Sequence, residues 1–409
     1  MDKKQKIIID NKVEAKDVFR AEDIAFSVKK NKKLPTAIIN SIGSYYPSIE
    51  FDTSYFINKL KDKLSDNLIK QLLDLGIEKK HIGVDVEKLL DTGFFSIVNS
   101  NSDMAKNSVI NTLKENNTAA TDIDYLITVS DTSDFISPGL SNQLIYDCGF
   151  KNDIRHISIS GMGCAGFLKA LEVASDFLGS NPGKKALIVI SVINSAYCQD
   201  INSVEKYYTI EEINSSETLK KDSEQHINNW LNIIQFFLFG DMATAAIVSG
   251  STNSSGSQFK LVSTKHITNI RQEDYKMAYF PTGGSLYSNL DVRPRFFMHR
   301  NLPKTGLIYS KRLINTLEKN ELESIQKWLV HTGSKKIIDI IKDGLKIDLQ
   351  SIKESYEIIK NFGNITPCSL PLILKNIISD DSVDVNKNIA MLGFGNGFSA
   401  SLTILKRVS

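Results

Sequence analysis

The chain has 409 residues, 42% of them apolar and 23% charged, with a net charge of +2. That balance suits a water-soluble globular protein long enough for two core-bearing halves, and its scattered lysines form no stripe with interleaved aromatics of the kind that binds nucleic acid. Cys148, Cys164, Cys198 and Cys368 lack zinc-site or disulfide-framework spacing, no apolar run is long enough to span a bilayer, and the charged start Met1-Asp-Lys-Lys-Gln-Lys has no signal-peptide core. A reducing, cytoplasmic setting is expected, with no metal and no membrane or nucleic-acid partner.

Residues 1–34 are Lys-rich and read as an extension outside the main core. Pro35 to Pro47 reads as a strand leading into a turn. From Asp52 to Leu90 a helical stretch is expected, with Leu60, Leu64, Leu68, Leu72 and Leu75 on one stripe and Lys59, Lys61 and Lys63 on its wet side. Met104–Asn116 is a further amphipathic helix, Ile123–Val129 a buried strand, and Pro138-Gly139 opens a helix through Tyr146. Ile157–Ser160 is a short strand, Gly161-Met162-Gly163 a tight turn, and Phe167, Leu168 and Leu171 recur at helical spacing beyond it. Lys185–Val192 is a continuous apolar run, as in an interior strand covered on both faces. Residues 199–230 are polar and read as a surface excursion. A Gly240-Asp241 turn then leads into a strand to Ser249. Ser251–Ser257 contains no apolar residue and marks a boundary between halves at 35–250 and 258–409. The second half repeats the rhythm, with a strand from Phe259, helices at 304–320 and 333–344, and a closing strand pair around Gly393–Gly395. Strands alternating with helices over this length give an α/β class.

Cys164 sits at a strand-to-helix junction. Unpaired N–H groups and the positive end of the helix dipole there favour a thiolate, the usual construction of a nucleophilic cysteine. A small buried core cysteine is the competing reading. His331 ends an apolar strand immediately before a helix, and Asn364 follows a glycine in a turn entering a helix. Either residue alone is as well explained by a structural or capping role. Gly393, Gly395 and Gly397 fall within five residues and permit close backbone approach to a ligand, while the dinucleotide fingerprint is absent.

Taken together and in order, these segments resemble the thiolase-fold condensing enzymes, in the branch of type III polyketide synthases, ketoacyl-ACP synthase III and plant-type 3-ketoacyl-CoA synthases. The markers are Gly-Met-Gly-Cys-Ala-Gly at 161–166, Leu-Phe-Gly-Asp at 238–241, Val-His-Thr-Gly at 330–333, Phe-Gly-Asn-Ile-Thr at 362–366 and Gly-Phe-Gly-Asn-Gly at 393–397. Pro138-Gly139 is similar to the Pro-Gly of type III polyketide synthases. The chain departs from the family at Met242, which follows Gly-Asp where a glycine is usual, and at Asn396, where a proline is usual.

The resemblance implies a five-layered αβαβα thiolase fold with two similar halves, and a homodimer. It implies an acyltransferase that loads an acyl group on Cys164 and extends it by decarboxylative Claisen condensation with a malonyl-type thioester, in polyketide or fatty-acid-like biosynthesis. A thiolate can hold an acyl group and release it again, and His331 and Asn364 can donate to the thioester oxygen as enolate charge develops. His331 would also help keep Cys164 ionised, and the Gly393–Gly397 loop would contribute backbone N–H groups to an oxyanion hole. Acyl-CoA and malonyl-CoA are the implied substrates, with acyl carrier protein as the other donor and no separate cofactor. Ser137, Phe296, Phe297, Lys335 and Lys336 are candidate substrate-binding positions, and Lys59, Lys61 and Lys63 candidate cations at a tunnel mouth. Ser137 stands where relatives that condense two acyl chains without decarboxylation place a Glu. The alternatives are Cys-dependent acyl transfer to an oxygen or nitrogen acceptor, a non-decarboxylative condensation, or a non-catalytic subunit of a heterodimer.

Overall fold

The computed structural model describes residues 37–94, 96–197, 201–251, 257–279, 297–299 and 301–409. The expected 1–34 extension, Cys198, Phe296 and most of the 251–257 boundary lie outside these. In chain order, β1 (Ile38–Tyr45) is followed by β2 (Ile49–Asp52), α1 (Thr53–Lys59), α2 (Asp66–Leu73) and β3 (Lys79–Ile82). Next come α3 (Val86–Thr92), α4 (Asn101–Glu115), β4 (Tyr125–Val129), α5 (Leu140–Asp147), β5 (Arg155–Ile159), α6 (Gly166–Ser180) and β6 (Lys185–Val192). The chain continues through α7 (Ile210–Ser215), α8 (Ser223–Leu238), β7 (Met242–Ser249), β8 (Phe259–Thr268), β9 (Ala278–Tyr279) and β10 (Phe297–Met298). It closes with α9 (Leu302–Ile314), α10 (Lys319–Glu323), β11 (Ile325–Val330), α11 (Lys335–Leu345), α12 (Leu349–Phe362), α13 (Ser369–Asp380), β12 (Asn388–Gly395) and β13 (Ser399–Arg407). Several helices start where a side chain satisfies an orphan amide: Ser65 caps α2, Ser100 and Asp103 form a capping box on α4, and Ser334 caps α11.

Three expectations are corrected. The stretch from Asp52 to Leu90 is not continuously helical: a 3-10 turn at Lys61–Lys63 breaks it, and β3 pairs antiparallel with β2. The leucine stripe is nevertheless buried at Leu60, Leu64, Leu68 and Leu72. Residues 201–230 lie at the surface but are not a loose solvated loop, because Ile201, Tyr207 and Ile213 pack with Phe51, Leu64 and Leu68 in one apolar cluster. The helix expected at 304–320 divides into α9 and α10.

Nine strands form one sheet in the order β11-β12-β13-β8-β1-β7-β6-β4-β5. Two runs within it repeat a single pattern. In each, the first strand pairs antiparallel with the last, the last antiparallel with the one before it, and that one parallel with the next: β1-β7-β6-β4 and β8-β13-β12-β11. The runs join only through Ile38 opposite Lys260 and Ile39 opposite Phe259, and β5 extends the first run with no counterpart in the second among the described residues.

Strand alternation sorts the core into layers. On β6, Leu187 and Val189 face a cluster with Val109 of α4 and Leu144 of α5, while Ile188 and Ile190 face Phe167, Leu168 and Leu171 of α6. On β12, Ile389 and Met391 face Leu370, Ile373 and Leu374 of α13, while Ala390 and Leu392 face Leu313 of α9 and Ile338 and Ile341 of α11. The order is therefore helix, sheet, helix, sheet, helix, with α6 and α13 as the central pair. Burying a leucine-sized side chain contributes about 1.5–3 kcal/mol, so this central layer rigidly holds the N-terminal ends of both helices.

Candidate active site

Functional side chains gather where the parallel strands end, as is usual in α/β sheets. β4 runs into Asp131 and Thr132, β5 into the Cys164 turn, β6 into Asn194 and Tyr197, β11 into His331, and β12 into Asn396. Cys164 lies in a 3-10 turn, Gly163–Ala165, that feeds α6. Asp131 bridges that turn: Gly163 N–H donates to Oδ2 at 2.8 Å, and Gly161 N–H donates to Oδ1.

Asn364 is fixed from both sides. Its N–H donates to Leu238 O at 2.9 Å, and its carbonyl accepts from Gly240 N–H at 3.2 Å. Gly363 before it adopts φ +66°, and a Cβ there would meet Leu238 O at 2.7 Å, so this turn needs glycine. Asn364 Nδ2–H donates to Gly333 O at 3.1 Å and Oδ1 accepts from Thr366 N–H at 3.0 Å, leaving a second Nδ2–H uncommitted. His331 is buried, and its Nδ1 lies 2.8 Å from Ser369 Oγ. Ser369 Oγ–H donates to Thr366 O at 3.0 Å, which makes Oγ the acceptor and assigns the imidazole proton to Nδ1. Nε2 then carries a lone pair.

Cys164 and Asn364 line one cleft, with Asp131, Asn194, Tyr197, Phe239, Thr366 and Asn396, enclosing about 630 Å³ of empty space with its open mouth. His331 does not line it, and among the described residues no hydrogen bond joins His331 to Cys164; it adjoins through the Gly333–Asn364 contact. Burial lowers the His331 imidazole to about 3, so the ring is neutral at physiological pH. Burial also pushes the Cys164 thiol up, and the Asp131 charge pushes it further. Both effects oppose the pull toward a thiolate that the start of α6 exerts. Cys164 is half-buried and lines the cleft. Burial raises the Asp131 carboxyl too, opposed by the two glycine N–H groups.

The glycine loop backs the nucleophile. A Cβ on Gly395 would stand 2.6 Å from Met162 O, and one on Gly393 3.4 Å from Ala165 Cα, while Gly397 turns the chain at φ +82°. The Gly240-Asp241 motif acts from behind. Buried Asp241 accepts from Gly83 N–H at 2.6 Å and from Ser195 N–H at 2.9 Å, and Asn194 Nδ2–H donates to Gly240 O at 2.7 Å, which holds the loop after β6 on the cleft.

Other candidate positions lie elsewhere. Ser137 is exposed and outside the cleft lining, and Phe297 pairs through its backbone with Tyr279. Lys335 pairs with Asp339 at 2.9 Å, and Lys336 and Lys61 are exposed. Lys59 pairs with Glu87 and Asp91, and Lys63 Nζ donates to Asn202 O and Val204 O. None of these lysines lines the cleft. Asp131, Asn194, Tyr197 and Ser369 escaped the sequence reading. Asp131 and Asn194 carried one signal, their place just beyond the ends of apolar strands. No group of side chains suited to a metal occurs among the described residues.

Residues 92–201 match the family model described as FAE1/Type III polyketide synthase-like protein, and residues 317–407 match 3-Oxoacyl-[acyl-carrier-protein (ACP)] synthase III C terminal. The first span holds Cys164, the second His331, Asn364 and the glycine loop. The chain is 23% identical over 387 residues to a beta-ketoacyl-[acyl-carrier-protein] synthase III of Campylobacter fetus, covering 90% of this chain and 98% of that one. It is 23% identical over 343 residues to 1,3,6,8-tetrahydroxynaphthalene synthase of Streptomyces coelicolor, covering 82% of each. The crystal structure of PKS-I from the brown alga Ectocarpus siliculosus superposes with a TM-score of 0.70 at 16% identity, over 93% of this chain and all of that one. The αβαβα layering is the fold they share.

Proposed function

We propose, on the premise that this chain is a thiolase-fold condensing enzyme of the type III polyketide synthase, ketoacyl-ACP synthase III and 3-ketoacyl-CoA synthase branch, that it carries an acyl group on Cys164 and extends it by decarboxylative Claisen condensation. The observation that carries the site assignment is the convergence of Cys164 and Asn364 on one cleft, with His331 hydrogen-bonded behind it.

In the loading half-reaction, Cys164 sulfur bonds to the acyl carbonyl carbon, the donor's carbon–sulfur bond breaks, and the leaving thiolate takes a proton. A malonyl-type thioester then loses carbon dioxide, and the electron pair of the broken carbon–carbon bond moves into an enolate. The free Nδ2–H of Asn364 suits the enolate oxygen. His331 joins it if Ser369 Oγ–H turns from Thr366 O to Nδ1, which moves the ring proton to Nε2. The enolate carbon attacks the Cys164 acyl carbonyl, and the sulfur leaves as thiolate.

Coenzyme A thioesters are the donors we favour, and acyl carrier protein the alternative; kcat/KM with one acyl group on each carrier separates them. A homodimer through β5 is supported by that strand's position at the free sheet edge, with Arg155, His156, Ile157 and Ser158 exposed. We place the enzyme in the cytoplasm, where a nucleophilic thiol stays reduced; no helix among the described residues is long and apolar enough to cross a membrane. Intact-mass spectrometry after incubation with acyl-CoA should show one acyl adduct on the wild type and none on Cys164→Ala. An adduct surviving in that variant rejects the assignment. Acylation without carbon dioxide release from malonyl-CoA would point instead to acyl transfer onto an oxygen or nitrogen acceptor.

A further inference from the structure

We propose that Lys80 is a positioning residue for Asn364: its buried ammonium caps the end of α8 and leaves the Gly240 amide to hold the Asn364 backbone. The inference rests on the reading of Asn364 as the donor to the enolate oxygen. Lys80 is the second residue of β3 and is 1% exposed, whereas its neighbour Lys79 reaches solvent and pairs with Glu50 at 2.9 Å. Successive strand residues point to opposite faces, so the pleat sends one lysine outward and the other into the protein. There, Lys80 Nζ donates to Phe236 O and, at 2.7 Å, to Phe239 O, and it stands 4.3 Å from the centre of the Phe51 ring. Burying an ammonium is costly unless hydrogen-bond acceptors or an aromatic face replace its water. Lys80 has both.

The donors at the end of α8 explain why a cation belongs there. A helix leaves its last carbonyls without amide partners. In a continuing helix, Phe236 O would accept from Gly240 N–H, four residues on. That N–H is instead given to Asn364 O at 3.2 Å, while Leu238 O accepts from Asn364 N–H at 2.9 Å. The two bonds seat Asn364 alongside Phe239, which lines the cleft. Lys80 supplies the donor that this diversion takes from Phe236 O, and a positive charge at a helix C-terminus is favourable in itself.

The stem of Lys80 belongs to the same seat. A Cβ on Gly240 would lie 3.4 Å from Lys80 Cβ, and one on Gly363 would lie 3.6 Å from it. Without the ammonium, Phe236 O would compete for its regular helical donor, Gly240 N–H. Taking that donor would extend α8 by one residue and release one of the two bonds on Asn364. The Cys164 turn is held by other groups, the Asp131 carboxylate and the glycine loop, so the nucleophile should not share the displacement.

The test compares wild type, Lys80→Met and Lys80→Arg as full chains. Amide hydrogen exchange is read by mass spectrometry, beside two half-reactions: acylation of Cys164 by acyl-CoA and carbon dioxide release from malonyl-CoA. Lys80→Met fills the space of the stem and lacks the donors. It should exchange faster in peptides covering 362–366, while peptides covering 161–168 keep their wild-type rates. It should load within about twofold of wild type and decarboxylate about ten- to a hundredfold more slowly, as a misplacement on the order of 1 Å can cause. Lys80→Arg, which keeps the charge and the donors, should recover part of both. Unchanged exchange at 362–366 overturns the proposal. So does an equal fall in loading and decarboxylation, or failure of both variants to fold, since either would make Lys80 a support of the fold at large. A wild type that neither loads nor decarboxylates defeats the condensation reading, and exchange then still decides whether Lys80 seats Asn364. Wild-type half-reactions in both variants defeat only the role of Lys80.

Discussion

Acidification from pH 7 to pH 5 should weaken the fold through His331 in particular. In the folded chain this imidazole is lowered to about 3 by burial, with Ser369 Oγ as its hydrogen-bond partner; in the unfolded chain it returns to about 6.5. Between these values the unfolded state binds a proton that the folded state refuses, so stability rises with pH across the interval and is lost as pH falls. From pH 7 to pH 5 the His331 contribution falls by about 2 kcal/mol, and it keeps falling toward pH 3. Asp131 and Asp241, raised by burial, work in the opposite sense, since the folded state holds their protons more tightly and gains stability as pH falls. Comparing wild type with His331→Gln removes that background. Urea denaturation of both proteins at pH 7 and pH 5 should show the wild type losing about 2 kcal/mol more than the variant. Equal losses would refute the claim that burial holds His331 neutral.

Three further outcomes are expected. Asn364→Ala should still accept an acyl group from acyl-CoA yet decarboxylate malonyl-CoA roughly 10²–10³-fold more slowly, as for loss of one oxyanion donor; carbon dioxide release at the wild-type rate would reduce Asn364 to a turn residue. Gly363→Ala should lower thermal stability by about 1–3 kcal/mol, since φ +66° and the 2.7 Å approach to Leu238 O leave no room for a methyl group, and should depress decarboxylation by displacing Asn364. Ser369→Ala leaves the buried His331 Nδ1–H without its acceptor, so a loss of about 1–3 kcal/mol is expected by denaturation, together with slower condensation, and Ser369→Thr should recover part of both.

The placement of the candidate site was legible in the sequence where residue type and local structure coincide. Cys164, His331 and Asn364 each stand at a junction between elements, and the glycines at 393–397 announced a close approach that proves to be directed at Met162 O and Ala165. The strand at Lys185–Val192 was plain because both of its faces are covered. Ionisation was not legible. A helix start beside a cysteine favours a thiolate, whereas burial and the charge of Asp131, which comes from the distant loop after β4, push the thiol up. Ser369 was hidden for a similar reason, since its bond to His331 spans 38 residues and belongs to no local pattern. Residues 199–230 misled because polar composition masked a few well-spaced anchors, Ile201, Tyr207 and Ile213, that hold the segment down. Between Asp52 and Leu90, four residues of β3 were too short to register against a long leucine stripe.

β5 has two occupations. Among the described residues it is the last strand of the sheet, with β4 as its one strand partner, and it is also the stem whose end turns into Gly161–Cys164. Fraying of an outermost strand requires little free energy compared with global unfolding. Here such fraying would loosen the anchorage of the nucleophile while leaving the core intact. Whatever covers that edge therefore sets the working lifetime of the catalyst. If a second copy covers it, mass action makes specific activity depend on protein concentration: dilution should first silence the enzyme, with the circular dichroism of the folded chain unchanged.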